Sequence, residues 1–101
     1  MTAVVEKLIQ AATAVTCLTR AQLLGPSREQ HISSVRQIIM YLAIKQGKSS
    51  PVIGAALNRD HTTVLHGRKA IAARLENGNR RIELLVSEIR EKANGDVQTT
   101  G

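Results

Sequence analysis

A polar run at Asp60-His61-Thr62-Thr63, followed by His66, holds the side chains of this 101-residue chain that are best suited to specific hydrogen bonding. Threonine hydroxyls donate or accept hydrogen bonds, and threonine methyls can contact the methyl group of thymine. Aspartate accepts from the N4 amino group of cytosine, and histidine bonds to base edges or phosphates. This combination indicates contact with base edges in the major groove of a DNA duplex.

Two helices with a very short connection must position this run. Ser50-Pro51 is a capping serine followed by proline in the first turn, and it predicts a helix over 51–57 that ends at Asn58. Asp60 is a good N-cap for a second helix over 61–76. Such a pair is typical of a helix-turn-helix, whose second helix enters the major groove by its N-terminal residues. The residues predicted to face inward from this second helix are Val64, Leu65, Ile71 and Leu75.

Positive charges flank the predicted helix pair. Fourteen Lys and Arg stand against eight Asp and Glu, and the formal net charge of +6 favours a polyanionic partner. Contacts to phosphates fix the register on a duplex and make affinity salt-dependent. The residues placed for such contacts are Arg28, Arg36, Lys48, Ser49, Ser50, Arg59, Arg68 and Lys69.

The remaining sequence predicts an all-α domain of about six helices over residues 1–95, with a flexible tail over 96–101. Thr2 can cap a first helix, and Thr19 with Gln22 has the form of a capping box for a short second one. Residues 25–33 form a polar loop that includes His31, and Ser33 or Ser34 caps a third helix. The last helix fades at Asn94-Gly95.

Composition restricts the core and the compartment. Trp and Phe are absent and Tyr occurs once, so the core must be aliphatic. Cys17, the only cysteine, is expected to be a small core residue with no disulfide partner in the chain. Glu6, Lys7 and Gln10 interrupt the apolar residues of the N-terminus, which excludes a signal peptide or membrane span there. A cytoplasmic, nucleoid-associated protein is expected.

Other kinds of site are disfavoured. His61 and His66 are five residues apart, not the usual four, and lack a third strong ligand beside Asp60, so no metal is expected. No nucleophile has a neighbouring base, so neither enzymatic activity nor a cofactor is expected. Gly47-Lys48-Ser49-Ser50 lacks the upstream glycine of a nucleotide-binding loop. RNA binding would need an aromatic stacking platform, and only Tyr41 is available.

The run from Arg59 to His66 resembles the signature of the C-terminal DNA-binding domain of the bacterial chromosomal replication initiator DnaA. The resemblance covers roughly residues 3–90 and implies an all-α, Trp-repressor-like domain that binds a nine-base-pair DnaA box. It implies base contacts in the major groove by the Asp60–Thr63 run and entry of Arg28 into the minor groove. Further motifs in the expected order are Leu23-Leu24, Arg36-Gln37, Tyr41-Leu42-Ala43, Pro51-Val52-Ile53-Gly54 and Ile71. The positions that match backbone-proximal ones are Arg36, Ser50 and His66.

The sequence departs from this family in the loop before the third helix. Pro26 and Ser27 replace two basic residues, and Glu29 and Gln30 follow Arg28. Two functions therefore stay open: specific binding of double-stranded DNA in replication or transcription control, and a protein-interaction module that docks on a replication or transcription protein. The initiator's ATPase domain is also missing from the sequence. With the depleted loop, this favours a stand-alone protein that occupies boxes without melting an origin by ATP-driven assembly.

Overall fold

A computed structural model describes the backbone of residues 3–98 and the side-chain surroundings of residues 3–95. Within this part of the chain every regular element is an α-helix, which confirms the all-α prediction. No helix of residues 3–98 is long and apolar enough to cross a membrane. The helices are α1 (Ala3–Thr16), α2 (Arg20–Leu24), α3 (Gln30–Lys45), α4 (Ser50–Leu57), α5 (His61–Glu76) and α6 (Arg80–Gln98).

The core is aliphatic, as the composition predicts. Helix α3 lies at its centre and contributes the most buried side chains, because apolar residues recur around much of its circumference. Helices α1 and α6 pack against each other on one side of it, and α4 and α5 pack on the other. The largest fully buried side chains include Leu8, Ile9, Leu23, Ile38, Ile39, Ile53, Leu57, Ile71 and Ile89.

The short helix α2 begins with the predicted capping box. The Thr19 hydroxyl accepts from the Gln22 N–H at 3.1 Å, and the Gln22 side chain accepts from the Thr19 N–H at 2.8 Å. Arg20 then binds Glu6 of α1 through both guanidinium nitrogens, at 2.6 and 2.9 Å. This hydrogen-bonded charge lowers the pKa of Glu6. The box and the ion pair together fix α2 against α1.

Helix α3 begins earlier than predicted. Its first residue is Gln30, so neither Ser33 nor Ser34 is the cap, and the loop covers only residues 25–29. Ser34 is buried, and its hydroxyl accepts from Gln30 Nε2 and from Arg74 Nη1, both at 3.2 Å. Because the Ser34 hydroxyl is bonded to side chains of α3 and α5, Ser34 lies inside α3 and does not cap it. His31, predicted to be a loop residue, lies in the first turn of α3.

Three turns that follow helices depend on a residue in the left-handed conformation, and the one at Asn58 is predicted by the sequence. Gly47 has φ = 88°, Asn58 has φ = 59° and Gly78 has φ = 75°, each directly after or near the end of a helix. Cys17 also adopts φ = 64°, after α1, and it is exposed, so its prediction as a core residue is wrong.

Helix α6 is longer than predicted, since it continues past Asn94-Gly95 to Gln98. Gly95 meets no neighbouring atom at its Cβ position, so no tertiary contact ends the helix there. The division into a domain over 1–95 and a flexible tail over 96–101 stays a prediction. Residues 99–101 and the proposed cap Thr2 lie outside the described residues.

Candidate nucleic-acid interface

Helices α4 and α5 form the predicted pair with a three-residue connection. Helix α4 is capped by Ser49, whose hydroxyl accepts from the Val52 N–H at 3.4 Å. Ser50 is therefore the first helical residue and not the cap, a shift of one position. Asn58 ends α4 in the left-handed conformation, and Asp60 is the extended residue from which α5 starts. This arrangement leaves only Asn58, Arg59 and Asp60 between the two helices.

The connection is tight because Gly54 has no side chain. The Arg59 N–H donates to the Gly54 carbonyl at 2.7 Å, which brings the backbone of the turn against the middle of α4. A Cβ at residue 54 would collide with the Arg59 carbonyl oxygen. Gly54 thus sets the distance between the turn and α4, and with it the direction in which α5 leaves.

The first turn of α5 presents its polar side chains to solvent. His61, Thr62, Thr63 and His66 are all exposed. Within residues 3–95, no side-chain hydrogen bond to another residue involves Thr62, Thr63 or His66. Their donors and acceptors are therefore available to a ligand.

Asp60 occupies the N-cap position of α5, but its side chain makes no capping hydrogen bond. The carboxylate is 67% exposed, and Oδ1 lies 3.6 Å from Nδ1 of His61. The backbone part of the capping prediction is confirmed, whereas the side chain makes no bond to the first-turn N–H groups. The unbonded N–H groups of this first turn carry the positive end of the helix dipole toward the same solvent region.

Leu65 does not join the buried stripe of α5. Val64, Gly67 and Ile71 are buried, whereas Leu65 is 39% exposed. It follows Thr62 by three residues, so both lie on one face of the helix. The prediction that Leu65 faces inward is wrong, and an apolar side chain stands next to the exposed polar run. Close packing of Gly67 against Met40 of α3 instead decides which side of α5 is buried.

Arg36 is placed differently from the sequence prediction, which has it on the surface for a phosphate. It is only 5% exposed. Its Nε donates to the Leu23 carbonyl at 2.7 Å, and Nη2 lies 3.3–3.4 Å from the carbonyls of Gln22, Gly25 and Ser27. The guanidinium is thus occupied by the backbone that runs from α2 into the loop. Because the Arg36 side chain is buried and bonded to these carbonyls, it is not on the surface for a phosphate.

Arg59 is half-buried and is also bonded to backbone carbonyls. Its Nη1 donates to Asn58 at 2.9 Å and to Leu57 at 3.3 Å, and its Nη2 donates to Gly25. Burial lowers the pKa of Arg36, and the nearby charge of Arg59 lowers it further. The two guanidinium groups are brought together because both bind the Gly25 carbonyl.

Asn58 adds a third bond between the turn and the loop, from its Nδ2 to the Leu24 carbonyl at 3.4 Å. We refer to Arg36, Asn58 and Arg59 as the loop latch. It holds the segment that leads to the exposed Arg28 beside the helix-turn-helix. The sequence contains no local signal for the loop latch, since its bonds join residues that are between 9 and 34 positions apart.

The other candidate contacts divide by accessibility. Arg28, Ser49 and Lys69 are exposed, while Lys48, Ser50 and Arg68 are half-buried. Four cations therefore keep some solvent access around the helix pair, and the two of the loop latch do not point freely into solvent. Among residues 3–95, no three His, Cys, Asp or Glu side chains are grouped as metal ligands would be.

Comparison with known proteins places this geometry in a family. The sequence model of the family described as bacterial dnaA protein helix-turn-helix matches residues 5–71, which run from α1 into the second half of α5. The chromosomal replication initiator protein DnaA of Picosynechococcus sp. is 36% identical over 91 residues, which cover 88% of this chain and 20% of that protein. The DnaA protein of Oenococcus oeni is 42% identical over 76 residues, or 70% and 17% of the two chains.

The DnaA protein of Lactococcus lactis subsp. cremoris is 44% identical over 59 residues, which cover 56% of this chain and 13% of that protein. The chain thus spans at most about a fifth of the length of these relatives, 13–20%. Because the family model matches well over half of its residues, the chain belongs to the family of bacterial dnaA helix-turn-helix domains.

Proposed function

We propose that this domain binds double-stranded DNA sequence-specifically, with the first turn of α5 in the major groove at a DnaA-box-like site. The exposed side chains from Asp60 to Thr63, which make no hydrogen bond or ion pair to other residues of 3–95 apart from the contact between Asp60 and His61, carry the proposal. Three residue types that suit base edges lie together at the N-terminus of the second helix of a helix-turn-helix. The helix dipole at this end favours nearby phosphates.

Leu65 extends the proposed base-reading face. Its exposed side chain shares a helix face with Thr62, and an aliphatic group in the major groove suits the methyl of thymine. His66 and Lys69 continue along the exposed side of α5 and are placed for backbone phosphates. In this arrangement the start of α5 reads bases and its next turns position the helix.

Arg28 is proposed as a second reader, in the adjacent minor groove. A single exposed arginine in the loop suits a narrow, electronegative groove. The loop latch supports this role because it fixes the start of the loop to the turn of the helix-turn-helix. We propose that Arg36 and Arg59 position Arg28 and do not themselves bind phosphate.

The biological setting is inferred from the relatives, whose names describe chromosomal replication initiators. We propose that the domain contributes DNA binding to replication initiation. Since the chain spans a minor part of those proteins, any other activity of theirs is outside this proposal.

Fluorescence anisotropy tests the proposal. The full chain is titrated at moderate salt onto a duplex that contains one DnaA box and onto a scrambled duplex. We expect Thr62→Ala to cost about 1–3 kcal/mol on the box duplex and to reduce the preference over the scrambled one. Thr13→Ala is the matched control, because Thr13 lies on α1 and bonds only to the Gln10 carbonyl of its own helix.

Each other outcome rejects part of the proposal. Unchanged preference in Thr62→Ala would remove α5 as the base-reading helix. Equal, salt-sensitive binding of both duplexes by the unsubstituted chain would remove box specificity. No binding to either duplex would favour the protein-interaction module instead.

A further inference from the structure

A cavity of about 310 Å³ lies away from the start of α5, where the beginnings of α3 and α6 meet the end of α5. Polar residues from all three helices line it, among them His31 and Ser34 of α3, Arg74 of α5 and Arg81 of α6. Ile82 and Leu85 supply its apolar wall. Its volume is at the lower end of the range of about 300–1,000 Å³ for small-molecule sites.

The charge in this cavity is not balanced by the protein. No Asp or Glu lines it. The ion pairs found among residues 3–95 use Arg20, Arg80 and His61, and leave Arg74 and Arg81 without a carboxylate partner. Two guanidinium groups that face one concave space, with no anion from the chain, produce a focused positive potential.

Neutral hydrogen bonds hold both arginines in place. Arg74 Nη1 donates to the Ser34 hydroxyl at 3.2 Å, and Gln30 Nε2 donates to the same oxygen. Arg81 Nη2 lies 3.2 Å from Nδ1 of His31. Because a guanidinium can only donate, Nδ1 of His31 is the acceptor in this contact. Each guanidinium keeps further N–H groups for a ligand.

The N-terminus of α3 adds to the positive potential. Gln30 and His31, the first two helical residues, both line the cavity. Glu29, at the N-cap position, makes no capping hydrogen bond with its side chain. The first N–H groups of a helix of 16 residues are therefore uncapped beside the two arginines.

We propose that this cavity binds a compact phosphate-class anion, such as orthophosphate or the pyrophosphate group of a small metabolite. Paired guanidinium groups match the oxygens of phosphate bidentately. Arg74 follows His61 by thirteen residues along α5, which places it about 20 Å from the proposed base-reading turn. The site is thus separate from the proposed DNA interface, and its small concave volume suits a small ligand better than a duplex.

Isothermal titration of the full chain with inorganic pyrophosphate, at ionic strength held constant with sodium chloride, tests the site. We expect saturable one-site binding that Arg81→Gln weakens by about tenfold or more, since the variant loses the charge-assisted hydrogen bonds of one guanidinium to the anion. Arg80→Gln is the matched control and should bind as the unsubstituted chain does. Arg80 is the preceding residue of α6, pairs with Glu83 at 4.0 Å and does not line the cavity.

Three results would overturn the proposal. The first is the absence of saturable pyrophosphate binding by the unsubstituted chain. The second is an equal loss of pyrophosphate affinity in Arg80→Gln and Arg81→Gln. The third is a loss of pyrophosphate affinity in Lys69→Gln but not in Arg81→Gln. The last would place the anion on the exposed side of α5. Binding of the DnaA-box duplex by Arg81→Gln, measured in parallel, should be unchanged, so failure of this site and failure of the proposed DNA binding are distinguishable.

Discussion

Two helix N-termini of this domain carry polar side chains that the structure uses in different ways. At α2 the Thr19 hydroxyl is bonded to the Gln22 N–H, so it stabilises the helix and is not available to a ligand. At α5 the Asp60 carboxylate leaves the first-turn N–H groups unbonded and leans toward His61. The residue at an N-cap position is thus a structural group in one case and a candidate recognition group in the other.

This difference predicts unequal effects on stability. Thr19→Ala should lower the free energy of unfolding by about 0.5–2 kcal/mol, the usual loss for a hydrogen-bonded cap. Asp60→Ala should lower it by only about 0.3–1 kcal/mol, from its interaction with the helix dipole. Urea unfolding followed by circular dichroism at 222 nm (the conventional helix signal) measures both. A larger loss in Asp60→Ala than in Thr19→Ala would show that the carboxylate caps α5 in solution.

Residue type and spacing were enough to predict that the candidate base contacts lie together at one helix start, because those side chains belong to one helical turn; that they contact bases stays a prediction. They were not enough for Arg36 and Arg59. A basic residue near a DNA-binding helix suggests a phosphate contact, yet the carbonyls that these two arginines share belong to the distant segment around Gly25. Only the packed chain shows that their donors are occupied.

At the scale of elements, helix boundaries set by a residue's own backbone conformation were easier to predict than those set by tertiary contacts. Gly47, Asn58 and Gly78 end helices by adopting left-handed backbone, which is a property of the residue itself. Serine at the start of a helix is ambiguous, because its hydroxyl either caps or bonds elsewhere. Ser34 bonds to Arg74 of α5, 40 residues further along the chain, and no local sequence pattern predicts that contact.

The two buried glycines of the helix-turn-helix should respond differently to a methyl group. Gly54→Ala should destabilise the fold by about 1–3 kcal/mol, because the added Cβ meets the backbone carbonyl of Arg59. The cost of this clash exceeds the gain of about 1 kcal/mol that alanine has over glycine in helix propensity. Gly67→Ala meets first Sδ of Met40, a side-chain atom and not backbone, so the net effect of this substitution on stability should be smaller. Thermal unfolding of both variants measures the difference.

Gly67→Ala is therefore the control for Gly54→Ala, since it adds the same group to a buried helical glycine of the same motif. Equal destabilisation of the two would mean that the turn backbone yields as readily as a methionine side chain. In that case Gly54 would not set the geometry of the connection, and the direction of α5 would depend on the contacts of α3 alone.

At the scale of the whole molecule, the net charge of +6 is divided between different uses. Arg20 pairs with Glu6, Arg36 and Arg59 hold the loop, and Arg74 and Arg81 face the cavity. Only part of the positive charge is therefore available to a duplex. Composition alone indicates a polyanionic partner, but it cannot show this division, which depends on burial and on contacts across the fold.

The division predicts a shallow salt dependence of DNA binding. If Arg28 in the minor groove and Lys48, Arg68 and Lys69 at phosphates each displace one condensed counterion, log Kd against log salt concentration should have a slope of about 3.6. Participation of Arg36 and Arg59 as well would raise it to about 5.4. Anisotropy titrations on the box duplex between about 50 and 200 mM salt, at one fixed pH, separate the two values.

Lys69→Gln calibrates this measurement, because removal of one exposed cation that contacts a phosphate should reduce the slope by about one unit. Lys7→Gln on α1 is exposed as well, lies outside the helix-turn-helix and should leave the slope unchanged. A slope near 5.4 in the unsubstituted chain would mean that the loop latch opens on the duplex and exchanges backbone carbonyls for phosphates. A slope near 3.6 would mean that Arg36 and Arg59 keep the loop in place while the exposed cations bind.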